Sequence, residues 1–325
     1  MAKVVITGIN GQDGTFLSRY LLKNTEHQII GTSRDFLTKS DNPRLKIKYL
    51  DISADDDSID FFVKSEKPDY FINFAGQSSP TEAEKNPAKT YLVNVNAVIK
   101  MLDAIKKYCP SCRLYSSGSA LEKCSDSIYS CSKRAAKDIC EHYRDYANLF
   151  VIHGVCCNHE SELRSENFVS KKIIRGVNKI SEQVSLGKEI SPIVLGNIFI
   201  ERDWLYAGDV VEGIWKAVSN DKLFKNYLFC SGNLRSIREF LETAFSIAHI
   251  DVEFRIDSKN LKNSSFYLRN TDIVLTKCAD EFFREGDSSM NALSTQTQKD
   301  LGWYPKTDFE SMIKIMLEKD RDGRK

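Results

Sequence analysis

Six short apolar runs, spaced so that a helix can fit between most of them, constrain this chain more than any other feature. "KVVITG", "HQIIGTS", "IKYLDI", "DYFINFAG", "CRLYSSG" and "LFVIHGV" are apolar nearly throughout, the pattern of parallel strands buried on both faces. Helix-period segments such as "GTFLSRYLLKN" and "NAVIKMLDAIKKYC" lie between them. Strands alternating with helices imply βαβ units, so the expected fold is α/β with a doubly wound parallel sheet of the Rossmann type. After about residue 160 the rhythm changes. "NFVSKKIIRGVNKISEQV" is basic and amphipathic, with Phe168, Ile173, Ile174, Val177 and Ile180 on its apolar side. Further helices are predicted at "VVEGIWKAVSN", "SIREFLETAFSIAHI" and "DFESMIKIMLEKD". The expected division is a sheet domain over 1–160, to which later segments return, and a smaller, mostly helical portion over 161–325. That portion is expected at the carboxyl ends of the strands, where open α/β sheets bind ligands.

"TGINGQDG" places Gly8, Gly11 and Gly14 between the first strand and the first helix. Glycines there allow a tight turn and close backbone approach, and the helix N-terminus offers amide donors to a pyrophosphate. A structural turn would use the same residues, but the position at the head of a βαβ unit favours dinucleotide binding. The second strand ends "GTSRD", where the Arg34 guanidinium can clamp a 2′-phosphate. Asp35 beside it opposes that phosphate, so NADP(H) is favoured only slightly over NAD(H).

"SGSALEKCSDSIYSCSK" carries Tyr129 and Lys133 on one face of a predicted helix, since residues i and i+4 are neighbours. An ammonium near a phenol, together with a nicotinamide's positive charge, stabilises phenolate and makes tyrosine a usable acid and base. A serine hydroxyl, Ser119 or Ser117, can then hold the substrate oxygen.

The bulk numbers exclude other classes. A net charge of +1 leaves no footprint for nucleic acid or an anionic membrane, and no apolar run approaches the ~20 residues that span a bilayer. The start enters a strand pattern directly, and a cytoplasmic location is expected. "CPSC", Cys109 to Cys112, has the spacing of a metal or redox pair but no second ligand pair, so reduced thiols and a helix stop are expected, with no metal.

The G-x-x-G-x-x-G spacing resembles the extended short-chain dehydrogenase/reductase family. Within it the likeness is to the GDP-mannose 4,6-dehydratase group, through "ITGINGQDGTFLSRYLL", "CNHESELRSENFVSKKIIRGV", "LGNIFIERDW", "FFREGD" and "KDLGWYP". The resemblance implies a cofactor site of Gly8, Gly11, Gln12, Asp13, Gly14, Arg34, Asp51, Ile52, Phe74, Ala75, Gly76, Tyr129, Lys133 and Arg164. It implies catalysis by Ser119, Tyr129 and Lys133. It implies a nucleotide-sugar site, GDP-linked by preference, of Ser78, Asn158, Phe168, Val169, Lys172, Arg202, Arg284 and Asp287. Lysine and arginine suit a diphosphate and a carboxylate suits a ribose diol, although isolated surface charges are usually only solvated. A homodimer through two helices, about 90–108 and 129–146, is also implied, with a tetramer as the alternative.

The chain departs from the group at one place. The dehydratase pattern ends its catalytic strand Thr-x-Glu, and aligning "RLYSSGSALE" puts Ser119 at the hydroxyl and Leu121 at the acid; the alternative register puts Ser117 at the hydroxyl and Ser119 at the second place, and neither supplies a carboxylate. Glu122 misses by one residue, and the connection to Tyr129 is much shorter. An aliphatic side chain cannot exchange a proton. The expected activity is therefore hydride transfer at sugar C4, on a GDP-linked hexose or heptose, by a 4-dehydrogenase, 4-keto reductase or epimerase. "SSG" and "FAGQ" also resemble GDP-4-keto-6-deoxymannose reductases. The alternatives are a 4,6-dehydratase with a displaced acid such as Glu122, and a cofactor-binding protein without turnover.

Overall fold

A computed structural model describes residues 1–35, 37–54, 56–123, 126–221, 225–282 and 295–323. The chain opens with β1 (Lys3–Thr7), α1 (Gln12–Asn24), β2 (Gln28–Ser33), β3 (Leu45–Tyr49), α2 (Ser58–Glu66) and β4 (Tyr70–Asn73). Two short helices follow, α3 (Pro80–Lys85) and α4 (Pro87–Tyr91), and a π-helical turn over Leu92–Asn96 leads into α5 (Ala97–Tyr108). Next come β5 (Arg113–Ser117), a 3₁₀ turn over Ala120–Lys123, α6 (Ile128–Ala147) and β6 (Val151–Cys156).

The chain then passes to a second compact unit with β7 (Asn158–Glu160), α7 (Val169–Ser185), β8 (Ile193–Leu195) and β9 (Glu201–Tyr206). It returns to the first unit for α8 (Ala207–Ser219) and β10 (Tyr227–Phe229). The second unit adds β11 (Leu234–Ser236), α9 (Ile237–Ile247), β12 (Val252–Arg255), β13 (Ser265–Leu268) and β14 (Thr276–Cys278). Finally α10 (Gln296–Leu301) belongs to the first unit and α11 (Phe309–Asp322) to the second.

The first unit holds a seven-stranded sheet in the order β10-β6-β5-β4-β1-β2-β3, and every neighbouring pair is parallel. The order reverses beside β1, so the carboxyl ends of β1 and β4 open a crevice at the switch point. Val5, Phe71, Leu114 and Val151 on the strands pack with Val63 of α2, Met101 and Leu102 of α5, and Cys140 of α6.

Two readings of the sequence need correction. β3 is not buried on both faces: "LKIKY" lies at the sheet edge, with Lys46, Lys48 and Tyr49 exposed. Lysines on an edge are a common guard against further strand pairing. The helix at 207–219 packs on α1 in the first unit, burying apolar residues such as Val210, Val211, Ile214 and Val218, rather than joining the helices after residue 160.

The second unit is built round α7, α9 and α11, which share a core of Ile173, Ile174, Val177, Phe240, Phe245, Met312 and Met316. α9 starts with a capping box, Ser236 and Glu239 bonding each other's backbone. Three small sheets, β11-β9-β7, β12-β13 and β14-β8, complete this unit. Among the described residues no helix is long and apolar enough to cross a membrane.

Candidate active site

Gly8 leaves β1 with φ +70°, the left-handed region that glycine adopts without strain. The Gly11 amide donates to the Gly8 carbonyl at 2.9 Å and closes the turn. Gly11 is the N-cap of α1 and brings no side chain into the space before the helix, while Gln12 and Asp13 form its first turn. A Cβ on Gly14 would lie 2.3 Å from the Gly8 oxygen, so only glycine fits where helix and turn meet. A Cβ on Gly8 would come within 3.1 Å of the Ala75 nitrogen, which puts the end of β4 directly against the turn.

At the end of β2, Asn10 donates to the Ser33 hydroxyl at 3.0 Å, and that hydroxyl also accepts the Asp35 amide at 2.9 Å. Asp35 accepts the Leu37 amide at 2.9 Å, so its carboxylate caps its own turn. Arg34 is exposed at this rim. Burial acts to raise the Asp51 carboxyl, but the Ser53 hydroxyl and amide, then Arg34 and Lys89, hold it below its ordinary value. Arg34 and Asp51 thus act on each other at one rim, and Ile52, next to Asp51 in the chain, is buried.

Hydrogen bonds tie the strand ends together. Thr7 donates to Asn73 Oδ1 at 2.6 Å and accepts the Ala75 amide at 3.1 Å, and the Ser117 hydroxyl donates to the Asn73 carbonyl at 3.0 Å. Phe74 stands edge-on to Tyr115 with centroids 5.8 Å apart, and Ser78 is exposed. A Cβ on Gly76 would meet Asn94 Oδ1 at 3.1 Å and Lys133 Nζ at 3.8 Å. Asn94 accepts the Gln77 amide at 2.8 Å and donates to the Gln77 carbonyl and the Ser132 hydroxyl. It sits in the π-helical turn, a distortion often found at functional sites.

Tyr129 and Lys133 fall one turn apart on α6, whose N-cap Ser127 accepts the Ser130 amide. Lys133 Nζ donates to the Ser117 carbonyl at 2.7 Å and lies 5.9 Å from the Tyr129 ring centroid. Burial pulls the Lys133 ammonium below the usual lysine range, and Glu122 is the largest influence opposing it. Ser119 Oγ accepts the Leu121 amide at 3.3 Å. Leu121 is half-buried, whereas the Glu122 side chain is only 3% exposed and turned inward. Glu122 Oε1 accepts from the Ser119 amide at 2.7 Å and from His153 Nε2 at 2.9 Å. Burial raises the Glu122 carboxyl, but the His153 hydrogen bond, the Ser119 amide and Lys133 outweigh it and leave it below its ordinary value.

In the second unit, Asn158 pairs in register with Trp204, two residues beyond the buried Arg202, whose Nη1 donates to the Glu201 carbonyl. Phe168 caps α7, Val169 begins it, and Lys172 lies on its first turn. Arg164 pairs with Glu160 at 3.0 Å and lies 3.6 Å over the Phe168 ring. Lys172 Nζ sits 3.5 Å from the Phe282 centroid; burial lowers its ammonium and Glu281 opposes the shift. Asn158 and Arg202 thus lie on paired strands, while Phe168, Val169 and Lys172 gather at the start of α7. Arg284 and Asp287 lie outside the described residues.

Sequence reasoning missed Asn94, Thr7 and His153. Their partners are distant in sequence, and the one available signal was a polar residue inside an otherwise apolar pattern, as in "YLVNVNAVIK".

Comparison with known proteins places the chain in a family. The family described as GDP-mannose 4,6 dehydratase matches residues 5–121 and 123–316. The GDP-mannose 4,6 dehydratase of Drosophila melanogaster is 29% identical over 97% of this chain and 85% of its own length. The Homo sapiens protein of that name is 27% identical over 97% of this chain and 90% of its own length. Among solved structures, the UDP-glucose 4-epimerase of Thermotoga maritima superposes with TM-score 0.78 at 16% identity, over 99% of this chain and 100% of its own. RMD from Pseudomonas aeruginosa, complexed with NADPH, gives TM-score 0.72 at 19% identity, over 99% and 100% of the two chains. These structures share the fold, while the family match runs from the first strand into the last helix: the chain belongs to the GDP-mannose 4,6 dehydratase family.

Proposed function

We propose that this protein is an NAD(P)-dependent nucleotide-sugar enzyme that transfers hydride at C4 of a GDP-linked hexose or heptose without obligatory dehydration. The reading is carried by two neighbouring elements: Tyr129 and Lys133 share a face of α6, while in the 3₁₀ turn before it Leu121 falls where the resemblance places an acid and Glu122 is bound to His153. The first unit fits a dinucleotide, because the Gly8–Gly14 turn is a cradle that a Cβ would fill. Gly8, Gly11, Gln12, Asp13 and Gly14 would hold its pyrophosphate, Asp51 and Ile52 its adenine end, and Phe74, Ala75 and Gly76 its ribose and diphosphate. Arg34 would meet a 2′-phosphate, which favours NADP(H) slightly. When bound, the nicotinamide supplies the hydride acceptor or donor.

The chain's own residues handle the proton. Tyr129 exchanges it with the C4 oxygen, the Lys133 charge stabilises the phenolate, and Ser119 Oγ orients the oxygen. Ser78, Asn158, Phe168, Val169, Lys172 and Arg202 would bind the nucleotide sugar, joined by Arg284 and Asp287. A homodimer through α5 and α6 fits the same reading, and Tyr146, 80% exposed on α6, offers an apolar surface for it.

A second reading, a 4,6-dehydratase, is favoured by the names of the relatives. Incubation with GDP-mannose and NADP⁺ or NAD⁺, followed by mass spectrometry, separates the two. The expected outcome is reversible C4 oxidation without loss of water. Efficient formation of a 4-keto-6-deoxy sugar overturns the first reading and establishes the second.

A further inference from the structure

Glu122 and His153 form a buried pair to which the proposed proton transfer assigns no direct part. The His153 side chain is fully buried and the Glu122 side chain 3% exposed, with 2.9 Å between Nε2 and Oε1. Because an ionised carboxylate only accepts, Nε2 is the donor. The same oxygen accepts the Ser119 amide at 2.7 Å, so it fixes the backbone that presents the Ser119 hydroxyl. Gly118 makes room for the pair: a Cβ there would lie 2.3 Å from His153 Nε2 and 2.7 Å from Glu122 Oε1. On the other side of this strand end, Lys133 donates to the Ser117 carbonyl. A buried ammonium needs an opposite charge nearby. Among the described groups that act electrostatically on Lys133, Glu122 is the largest that supports its charge, ahead of the Cys156 and Cys140 thiols. Those thiols are pushed up to about 12 by burial and stay neutral at ordinary pH. Arg134 is also close, but its Nη1 donates to the Glu122 backbone carbonyl.

We propose that Glu122, held by His153, is the buried counter-ion of Lys133 and the clamp on the Ser119 amide: a positioning residue behind the site rather than a substrate-facing acid. Its effect on Tyr129 rests on the hydride-transfer reading, whereas its pairing with Lys133 does not, so the two can be tested apart.

Glu122→Gln keeps the size and an acceptor for the Ser119 amide but removes the charge. Lys133 then loses support and its ammonium falls further below the unfolded value of 10.5. Between the folded value and 10.5 the unfolded chain binds the additional proton, so stability of the variant rises with pH across that window. The Tm difference from wild type is therefore widest near neutral pH and closes toward the alkaline end. The Glu122 charge also raises the Cys140 and Cys156 thiols, so the series is run in a Cys140→Ala, Cys156→Ala background, where only the lysine titrates in this window. Glu122→Gln combined with Lys133→Met removes both charges and should recover most of the Tm lost by either single change. A Tm difference independent of pH, or losses that simply add in the double variant, overturns the counter-ion role. If the wild type oxidises GDP-mannose with NADP⁺, the alkaline limb of its kcat/KM profile should move down in Glu122→Gln by roughly one to three pH units. An unmoved limb overturns the tuning of Tyr129. Absence of any wild-type hydride transfer would count against the proposed function alone, since the Tm series needs no substrate.

Discussion

Gly14→Ala sets two forces of opposite sign against each other. Alanine is the better helix residue by about 0.5–1 kcal/mol, so propensity alone predicts a more stable protein. Geometry predicts the reverse. The new Cβ would sit 2.3 Å from the Gly8 oxygen and 2.7 Å from Ile9 Cα, against an optimal separation of about 3.5 Å. The turn must therefore open by about 1 Å. That oxygen is held by the Gly11 amide at 2.9 Å, and the Phe74–Ala75 backbone stands close to Gly8 on its Cβ side. Losing the Gly11 bond costs about 1 kcal/mol, and overpacking about 1–3 kcal/mol more. After subtracting the propensity gain, the net loss is about 1–3 kcal/mol, at roughly 2–4 °C of Tm per kcal/mol for a large domain. Opening the turn also spoils the phosphate cradle, so NADPH affinity should fall about tenfold or more, a change of ~1.4 kcal/mol. The assays are a thermal melt and a fluorescence titration with NADPH. Gly187→Ala is the control: φ there is +60° with nothing within 4 Å of the new Cβ, so it should lose a little stability and leave NADPH binding alone. A Gly14→Ala protein that melts at or above the wild-type Tm and binds NADPH unchanged would refute the reasoning.

Tyr129→Phe should lower hydride transfer about 10²–10⁴-fold, as loss of a general acid–base does, with a much smaller change in NADPH affinity. Steady-state kinetics and a binding titration on the same preparation check both halves. Arg34→Ala should weaken NADP⁺ about tenfold through loss of a charge-assisted bond, with NAD⁺ affinity nearly constant, as read by calorimetry. Lys172→Ala should weaken GDP by a similar factor of about ten and leave NADP⁺ untouched, because Lys172 lies at the start of α7 in the second unit.

The sheet was legible because its strands carry their burial in their composition: "KVVIT" and "VIHGVC" are nearly all apolar, and each is flanked by a strand on both sides. β3 misled because Ile47 and Leu45 give an apolar signal, while edge position, which decides its exposure, is a property of strand order and not of local sequence. α8 misled for a related reason. Its pattern shows a buried helix, yet its neighbour α1 lies nearly two hundred residues earlier in the chain. The glycine turn and the Tyr129–Lys133 pair could be read because each is local, set by spacing within one turn or one helix. Asn94 could not, because its partners Gln77 and Ser132 are 17 and 38 residues away. The same holds for Glu122, whose partner His153 is separated by 31 residues and a whole helix.

The short connection between β5 and α6 explains why a carboxylate one residue out of place ends up in the interior. A 3₁₀ turn has three residues per turn, so residues three apart eclipse one another. In the turn at Ala120–Lys123 this brings Glu122 under Ser119, where its oxygen meets the Ser119 amide. Leu121, one residue earlier, occupies the position where the resemblance to the dehydratases places an acid, and it stays half-buried with no proton to exchange. A carboxylate driven inward is costly unless it is paired, and here His153, the Ser119 amide and the charge of Lys133 all favour its ionised form. Two of those partners touch the proposed catalytic group, the first through the Ser119 backbone and the second through the lysine one helical turn from Tyr129. Gly118 is what makes the arrangement sterically possible, since any side chain there would occupy the space of the His153–Glu122 hydrogen bond. On the proposed reading, the chain therefore keeps a carboxylate beside the site but turns it into the protein, where it sets charge and position instead of exchanging a proton with a sugar.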